Sequence, residues 1–361
     1  MTSRPINIKS GIFQGDSLFP LLFCLALAPL SSLLKATTYG YEAQGRTITH
    51  LFYMDDLKTY AKSDSQQTGL PNIVKTSSND IKMEFGLDEC VKATLKKTSD
   101  LQLDIDTCLK ELDQENTYKY LGVDEGDGIQ HAKMKEKVRK EYYRRVRMVL
   151  KTELNAANRF EAFNTLAIPV VTYSFNKIDW KMSEIKRLDT KTRKLLTLSK
   201  MHHTKADVDR LYLPRNAGGR GLIVQLEASY KTTTMGLDSY LRNNDDALIE
   251  LVQEHDGRKK FYSIQRQAEQ FKQELDITIP DKQAEETTTK YAKRTKQMAR
   301  NKTQEKLTKQ WEDKALHRRY PKRTKYADVD HHKTNQWLKS SGLKVETEGF
   351  IIAAQDQSLA T

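Results

Sequence analysis

Leu51-Phe52-Tyr53-Met54-Asp55-Asp56-Leu57 is an aromatic and apolar run that ends in two adjacent carboxylates before the chain turns polar at Lys58-Thr59. Its flanks predict two short strands, Arg46 to Tyr53 and Leu57 to Ala61, with Met54, Asp55 and Asp56 at the tip of a hairpin between them. Two acids buried unpaired in a strand would cost several kcal/mol. The pair therefore belongs either to an exposed turn, where Asp is common, or to a site where a bivalent cation or a basic ligand partners it.

Upstream, Gly11-Ile12-Phe13-Gln14-Gly15-Asp16-Ser17 reads as a loop, and Pro20 in a first helical turn leads into the apolar stretch Leu18 to Leu34. The glycines allow close backbone approach to a ligand, and Gln14 offers a donor and an acceptor beside them. Because Pro20 and Pro29 interrupt the stretch, it reads as a buried core helix rather than a membrane span. Downstream, residues 64–85 predict a helix with Ile73, Ile81 and Phe85 as apolar positions and Gly86 as its stop. Residues 93–95, 101–103 and Tyr118 to Val123 resemble short strands, the last ended by Gly126 and Gly128.

From Ile129 the period becomes helical. Met134, Val138, Tyr142, Val146 and Val149 mark a packing face. On another face Lys133, Lys137, Lys140, Arg144, Arg147 and Lys151 form a basic stripe with few compensating acids, either a solvated surface or a track for phosphates. Further helices are expected at 158–168, capped by Asn158 and broken before Pro169, and at 183–200, 222–242 and 245–255. Leu211 to Arg215 and the glycine cluster Gly218-Gly219-Arg220-Gly221 read as a turn. They are not a phosphate loop, which would end in Lys-Ser/Thr. Residues 290–325 hold 14 Lys+Arg against three acids with Trp311 and Tyr320 interleaved, a composition suited to nucleic acid or to a helix that folds on a partner. Trp337 to Ala354 regains apolar residues and is expected to dock as a small satellite.

The 361 residues are enough for two or three units. Residues 1–125 carry 13 Lys+Arg against 17 Asp+Glu, whereas residues 126–361 carry 47 against 31, so a polyanion would bind the second part. Cys24, Cys90 and Cys108 lack zinc-site spacing and are too few for a disulfide framework, which points to a reducing compartment. His202-His203 and His331-His332 are poorly spaced for one metal and read as surface residues.

Gln14-Gly15-Asp16 before an apolar helix, Tyr53-Met54-Asp55-Asp56 on a hairpin and Tyr120-Leu121-Gly122 further on together resemble the reverse transcriptases of non-LTR (LINE-type) retrotransposons. Leu211 to Leu222 also looks like the region that follows the polymerase core in site-specific members of that group. The resemblance implies an RNA-directed DNA polymerase, with RNA template and DNA primer as partners and two Mg²⁺ ions as cofactors, acting on no membrane and located in the nucleus or a cytoplasmic ribonucleoprotein. Asp55 and Asp56 would be its metal ligands and Lys92 a lysine near the leaving group. Gln14, Gly15, Tyr53 and Met54 would line the nucleotide and primer end, with Asp16 holding the loop, and Tyr120, Leu121 and Gly122 would form the primer grip.

That family places a further metal-binding Asp on a strand before the Gln-Gly-Asp loop, whereas residues 1–15 contain no Asp or Glu. The expectation is a chain that relies on an upstream segment of the same element and has no measurable primer extension alone. A catalytically dead nucleic-acid-binding protein derived from such an element is the alternative. The expected fold is α+β: a partial palm with a small antiparallel sheet in residues 1–125, a helical thumb in 126–256 and a basic helical connector in 257–361. A helix face and a sheet edge are expected to lie uncovered.

Overall fold

The structure is a computed structural model that describes residues 15, 17–43, 45–83, 90–92, 110–111, 117–126, 128–222, 225–340 and 342–357. It has an α+β fold, mostly helical with small, chiefly antiparallel sheets. Two compact units divide it, Met1–Gln130 and His131–Thr361. The break falls a few residues after the expected 125, and no second break follows 256: the residues read as thumb and connector share one unit. The strands expected at 93–95 and 101–103 lie outside the described residues, as do Gln14, Asp16, Phe85, Gly86 and Cys108.

In the first unit α1 (Phe19–Ala36) begins with Pro20 in its first turn, where a missing N–H costs nothing. Only its C-terminal part is a core helix. Leu30 and Leu34 are buried against Leu70, with Phe52, Leu57, Ile73 and Val74 around them, while Leu21, Leu22, Leu25 and Leu33 are exposed. The expectation of a buried helix is corrected to that extent, and the expected uncovered helix face is present. By length and composition α1 would also suffice to cross a membrane.

The run 46–53 is not one strand. β1 (Tyr41–Ala43) pairs with β2 (Arg46–Ile48), and after Thr49 the chain starts a separate hairpin of β3 (His50–Tyr53) and β4 (Asp56–Thr59). The register Tyr53 opposite Asp56 leaves Met54 and Asp55 alone in the turn, so Asp56 is a strand residue and not part of the tip. α2 (Asp64–Asp80) is capped by the Ser63 hydroxyl, which accepts from the Gln66 N–H. It stops short of Ile81, which is 39% exposed and not an apolar position of the helix. β5 (Val91–Lys92) pairs in parallel with β6 (Lys110–Glu111). Tyr118 to Val123 also divides: β7 (Tyr118–Tyr120) turns at Leu121-Gly122 into β8 (Val123–Gly126), followed by β9 (Gly128–Ile129). Leu121 and Gly122 have φ of 46° and 78°, the left-handed pair that a two-residue hairpin turn matching strand twist requires.

The second unit opens with α3 (His131–Leu150), which buries the predicted Met134, Val138, Tyr142, Val146 and Val149, with the Tyr142 hydroxyl 2.9 Å from that of Thr192. The next helix begins earlier than expected, capped by Asn155 and not Asn158, and Pro169 does not break it. α4 (Ala156–Ala162) passes through a π turn at Phe163–Ala167 into α5 (Ile168–Thr172), and the wide turn puts Pro169 in the first turn of α5, where its missing donor is tolerated. α6 (Met182–Leu198) starts from a box in which Glu184 accepts from the Lys181 N–H, and Ser183 is not its cap.

The expected turn is present, as a 3-10 turn at Arg215–Ala217 followed by a left-handed Gly218, but it belongs to a buried hub: Arg210 and Leu211 of α7 (Asp209–Tyr212), Leu213 and Arg220 have no accessible surface. Gly219 is indispensable there: a Cβ would lie 2.0 Å from the Leu213 carbonyl oxygen. α8 (Leu226–Arg242) packs α10 (Ile264–Leu275) and the 26-residue α11 (Thr288–Asp313), with α9 (Ala247–Arg258) between α8 and α10 in sequence. α11 buries Tyr291, Ala292, Ala299, Leu307 and Trp311, so this basic stretch is folded within the unit. α12 (Arg319–Arg323), α13 (His331–Ser340) and α14 (Val345–Gln355) complete it, and Leu338, Ile352 and Ala353 cluster with Ala206 as the expected satellite.

Arg210 and Arg220 tie that hub to α14. Arg210 donates to Asp356 at 2.9 Å and lies against the rings of Trp311 and Tyr320, each 4.9 Å away. Arg220 donates to Glu348 at 2.9 Å, Arg215 pairs with the same carboxylate, and burial pulls the Arg220 guanidinium down to about 10. His202, read as a surface residue, is 5% exposed, and burial with the Arg220 charge pushes its imidazole down to about 4.

Candidate functional site

Opposed residues of an antiparallel pair share a face. In the β3–β4 hairpin Phe52 and Leu57 therefore point together, and they pack on Leu30, Leu34 and Leu70. Leu51, Tyr53, Asp56 and Lys58 take the other face. Asp55 sits in the turn itself, after Met54, whose φ is 55°. Both carboxylates are exposed, and neither has a hydrogen bond or ion pair among the described residues. Burial thus imposes no charge penalty on the pair. Tyr53 and Met54 are exposed beside it, at 61% and 43%. The Cys24 thiol is 3.7 Å from the Met54 sulfur and His50 is 2.8 Å from the Ser31 hydroxyl, so both ends of β3 are tied to α1.

The same alternation brings Lys58 out on the Asp56 face, where it meets the second hairpin. Its Nζ donates to Glu125 at 2.5 Å and lies 5.2 Å and 5.1 Å from the ring centres of Tyr118 and Tyr120. Tyr60 adds a third ring at 5.8 Å. The Tyr118 hydroxyl donates to the same Glu125 oxygen at 2.6 Å. Burial, with Glu125 as hydrogen-bond acceptor, holds the Tyr118 phenol far above its ordinary range. Tyr120 is raised by burial against the opposing pull of Lys58, with the Asp56 charge adding to the rise.

The structure thus brings Asp56, Tyr120 and the Leu121-Gly122 turn into one neighbourhood, joined by Lys58 and Glu125. Sequence reading found the first hairpin and, through the resemblance, the grip residues of the second, but it read Tyr118 to Val123 as one strand and missed the residues that join the two. The signal was available: with the turn confined to Met54 and Asp55, Lys58 falls two residues beyond Asp56 on the same face. Lys92 lies on β5, which pairs with β6. Gly15 is exposed with φ of 103° and open space where a Cβ would be. Gln14 lies outside the described residues.

Asp55 and Asp56 fit a hard divalent cation completed by water and substrate phosphates, the usual way Mg²⁺ is held by one or two carboxylates. A two-ion arrangement needs a further bridging acid. Among the described residues no group of three His, Cys, Asp or Glu is placed to hold a metal.

In the second unit, all six residues of the predicted stripe, Lys133, Lys137, Lys140, Arg144, Arg147 and Lys151, are exposed. They extend over about 27 Å at 1.5 Å per residue. The stripe is less free of acids than its sequence suggested: Lys140 is 3.9 Å from Glu136, and Arg144 is 2.6 Å from Glu141, whose carboxyl Arg144 and Arg145 hold at about 2. Neither a scan against protein-family models nor a search of the curated proteins finds a match for this chain.

Proposed function

We propose that the chain is a reverse-transcriptase portion of a non-LTR retrotransposon, in which the first unit carries the nucleotidyl-transfer hairpin and the second holds the RNA template and DNA primer. The observation that carries this reading is the pairing of two exposed acids at Asp55 and Asp56 with a second hairpin turn at Tyr120-Leu121-Gly122, fixed together through Lys58 and Glu125. Mg²⁺ held by Asp55 and Asp56 would supply charge neutralisation to the attacked phosphate and to the leaving pyrophosphate. The protein's share is positioning. Asp55 in the turn and Asp56 at the start of β4 would present oxygen ligands from a hairpin braced on α1, and the second hairpin would offer the backbone of its turn to the primer end. The α3 stripe gives a phosphate track sized for several nucleotides, because one strand of a duplex carries a charge every 3.4 Å.

Iron-directed cleavage tests the metal assignment without requiring turnover. With Fe²⁺, ascorbate and peroxide in place of Mg²⁺, the chain should be cut within residues 53–57. Mg²⁺ should suppress the cut, and Asp55→Ala should abolish it. Random cleavage, or cleavage indifferent to Asp55, overturns the assignment. Nucleic-acid binding without nucleotidyl transfer is the second reading, favoured by the lack of a third clustered acid among the described residues. RNA-templated primer extension decides between them: the 361-residue chain is expected to bind primer/template without extending it, and extension that disappears in Asp55→Ala would establish an active polymerase.

A further inference from the structure

A cavity of about 400 Å³ opens in the second unit between the start of α6, α8 and the α9–α10 connection with α10. Trp180 lines it as a side chain only 1% exposed, and Tyr230 and Phe271 meet edge to face at 6.1 Å in its wall. Phe261, also in the lining, is 78% exposed. A phenylalanine left so open beside an aromatic cavity gains nothing for the fold and offers a ring face to a ligand. Its neighbour Tyr262 is held at φ of 58°, a left-handed conformation that costs energy in a bulky residue and persists only where the surroundings impose it. The connection before them, Arg258-Lys259-Lys260, is a run of three cations.

The polar lining selects the ligand class. Lys231 bridges Glu227 at 2.9 Å and Glu274 at 2.7 Å, and Lys186 also lies 3.5 Å from Glu227, so with Lys181 three lysines face two acids and the lining is net positive by one charge. An ammonium ligand, which the aromatic rings alone would suit, is therefore disfavoured. Gln267 accepts from the Tyr230 hydroxyl at 2.8 Å through its carbonyl oxygen, which leaves its amide nitrogen to donate elsewhere. Flat rings, an amide donor and surrounding cations match an aromatic heterocycle joined to phosphate. Stacking of this kind accepts any base, because every base has a π face.

We propose that this cavity receives one unpaired base of a single-stranded nucleic acid, stacked on Phe261, with the adjoining phosphates on Lys259, Lys260 and the α6 lysines. The proposal does not depend on chemistry at the Asp55-Asp56 hairpin and assigns the second unit a recognition of single strands that a phosphate stripe cannot supply. A base inside a duplex stays stacked on its neighbours and cannot enter.

The test is fluorescence anisotropy of the full chain with a labelled twelve-nucleotide oligo(A), as RNA and as DNA, and with the same strand in a duplex. Phe261→Ala should weaken single-strand binding about tenfold or more, as loss of one base–aromatic stack does. Duplex affinity should be unchanged, and Phe261→Trp should restore single-strand binding. Since Phe261 is exposed, the substitution leaves the core intact, and an unchanged circular dichroism spectrum verifies that. Asp55→Ala should bind single strands as the parent does, which separates this result from the fate of the polymerase reading. Unchanged single-strand affinity in Phe261→Ala, or equal loss for single strand and duplex, overturns the proposal.

Discussion

Lys58 carries more of the first unit's specificity than its place in the sequence suggests. Its charge is three-quarters shielded from solvent, paired to one carboxylate and ringed by Tyr60, Tyr118 and Tyr120. Removing either partner leaves the other charge largely desolvated and alone, which costs more than the pair contributes. Lys58→Met and Glu125→Gln are each expected to destabilise the first unit by about 2 kcal/mol, and the double variant by much less than the sum. A double-mutant cycle in urea measures this coupling, and strict additivity would refute the clamp. Two buried groups in the second unit yield a pH prediction. The His202 imidazole is held at about 4, below its ordinary 6.5, so its contribution is complete above pH 6.5 and is lost as pH falls toward 4. Asp189, which accepts N–H bonds from Leu226 and Glu227, is raised by burial to about 6 from 3.8, so the native state gains stability as pH falls from 6 to 3.8. Each effect amounts to about 3 kcal/mol, and the two nearly offset. Relative to the parent, His202→Asn should therefore gain stability between pH 6.5 and 4, and Asp189→Asn should lose it, as read from urea midpoints across that range.

Elements were legible where one periodicity ran long enough to dominate. α3 is the clearest case: five apolar positions and six cations, read from spacing alone, fall on the buried and exposed faces expected of them. Helix ends and breaks were less legible, because they depend on single backbone groups. Pro169 looked like a stop, yet the π turn at Phe163–Ala167 shifts the hydrogen-bond register so that no bond is demanded of it. Asn164 in that turn donates to the Gly221 carbonyl at 2.8 Å, a partner 57 residues away that no local pattern announces. The turn within 211–222 was legible from its glycines, but its burial was not, because that rests on Arg220 pairing with Glu348 and on the neighbouring Arg210 pairing with Asp356, partners far along the chain. The first hairpin of the candidate site was found through its motif, but the turn at Leu121-Gly122 and the β2–β3 break at Thr49 were not, because Tyr118 to Val123 and Arg46 to Tyr53 each read as one continuous strand. The α3 stripe carries its own prediction. Charge reversal at Lys133, Lys137 and Lys140 should weaken primer/template binding for every sequence alike and lower the log–log salt slope by about one for each phosphate no longer neutralised. A slope unchanged by the reversal would make the stripe a solvated surface.

At the scale of the whole molecule, the two compact units have differently built cores. Among the described residues, the first rests on a small cluster around Leu30, Leu34 and Leu70 and leaves much of the α1 leucine face in solvent. The second has a larger apolar core, with Phe160, Phe163, Trp180, Ile185, Leu196 and Met235 among its buried residues, and adds the charge pairs Arg220 with Glu348 and Arg210 with Asp356, whose side chains are at most 1% exposed. A core of few residues has little apolar area to offset chain entropy, whereas breaking a buried pair by removing one partner costs about 3–5 kcal/mol. Unfolding should therefore occur in two steps, the first unit melting before the second. Lys58→Met should move only the earlier transition, and Arg220→Met should move only the later one, because the two residues belong to different compact units. Differential scanning calorimetry of the parent and both variants reads this directly. A single transition displaced by either substitution would show that the chain unfolds as one cooperative body, and the independence of its two cores would have to be abandoned.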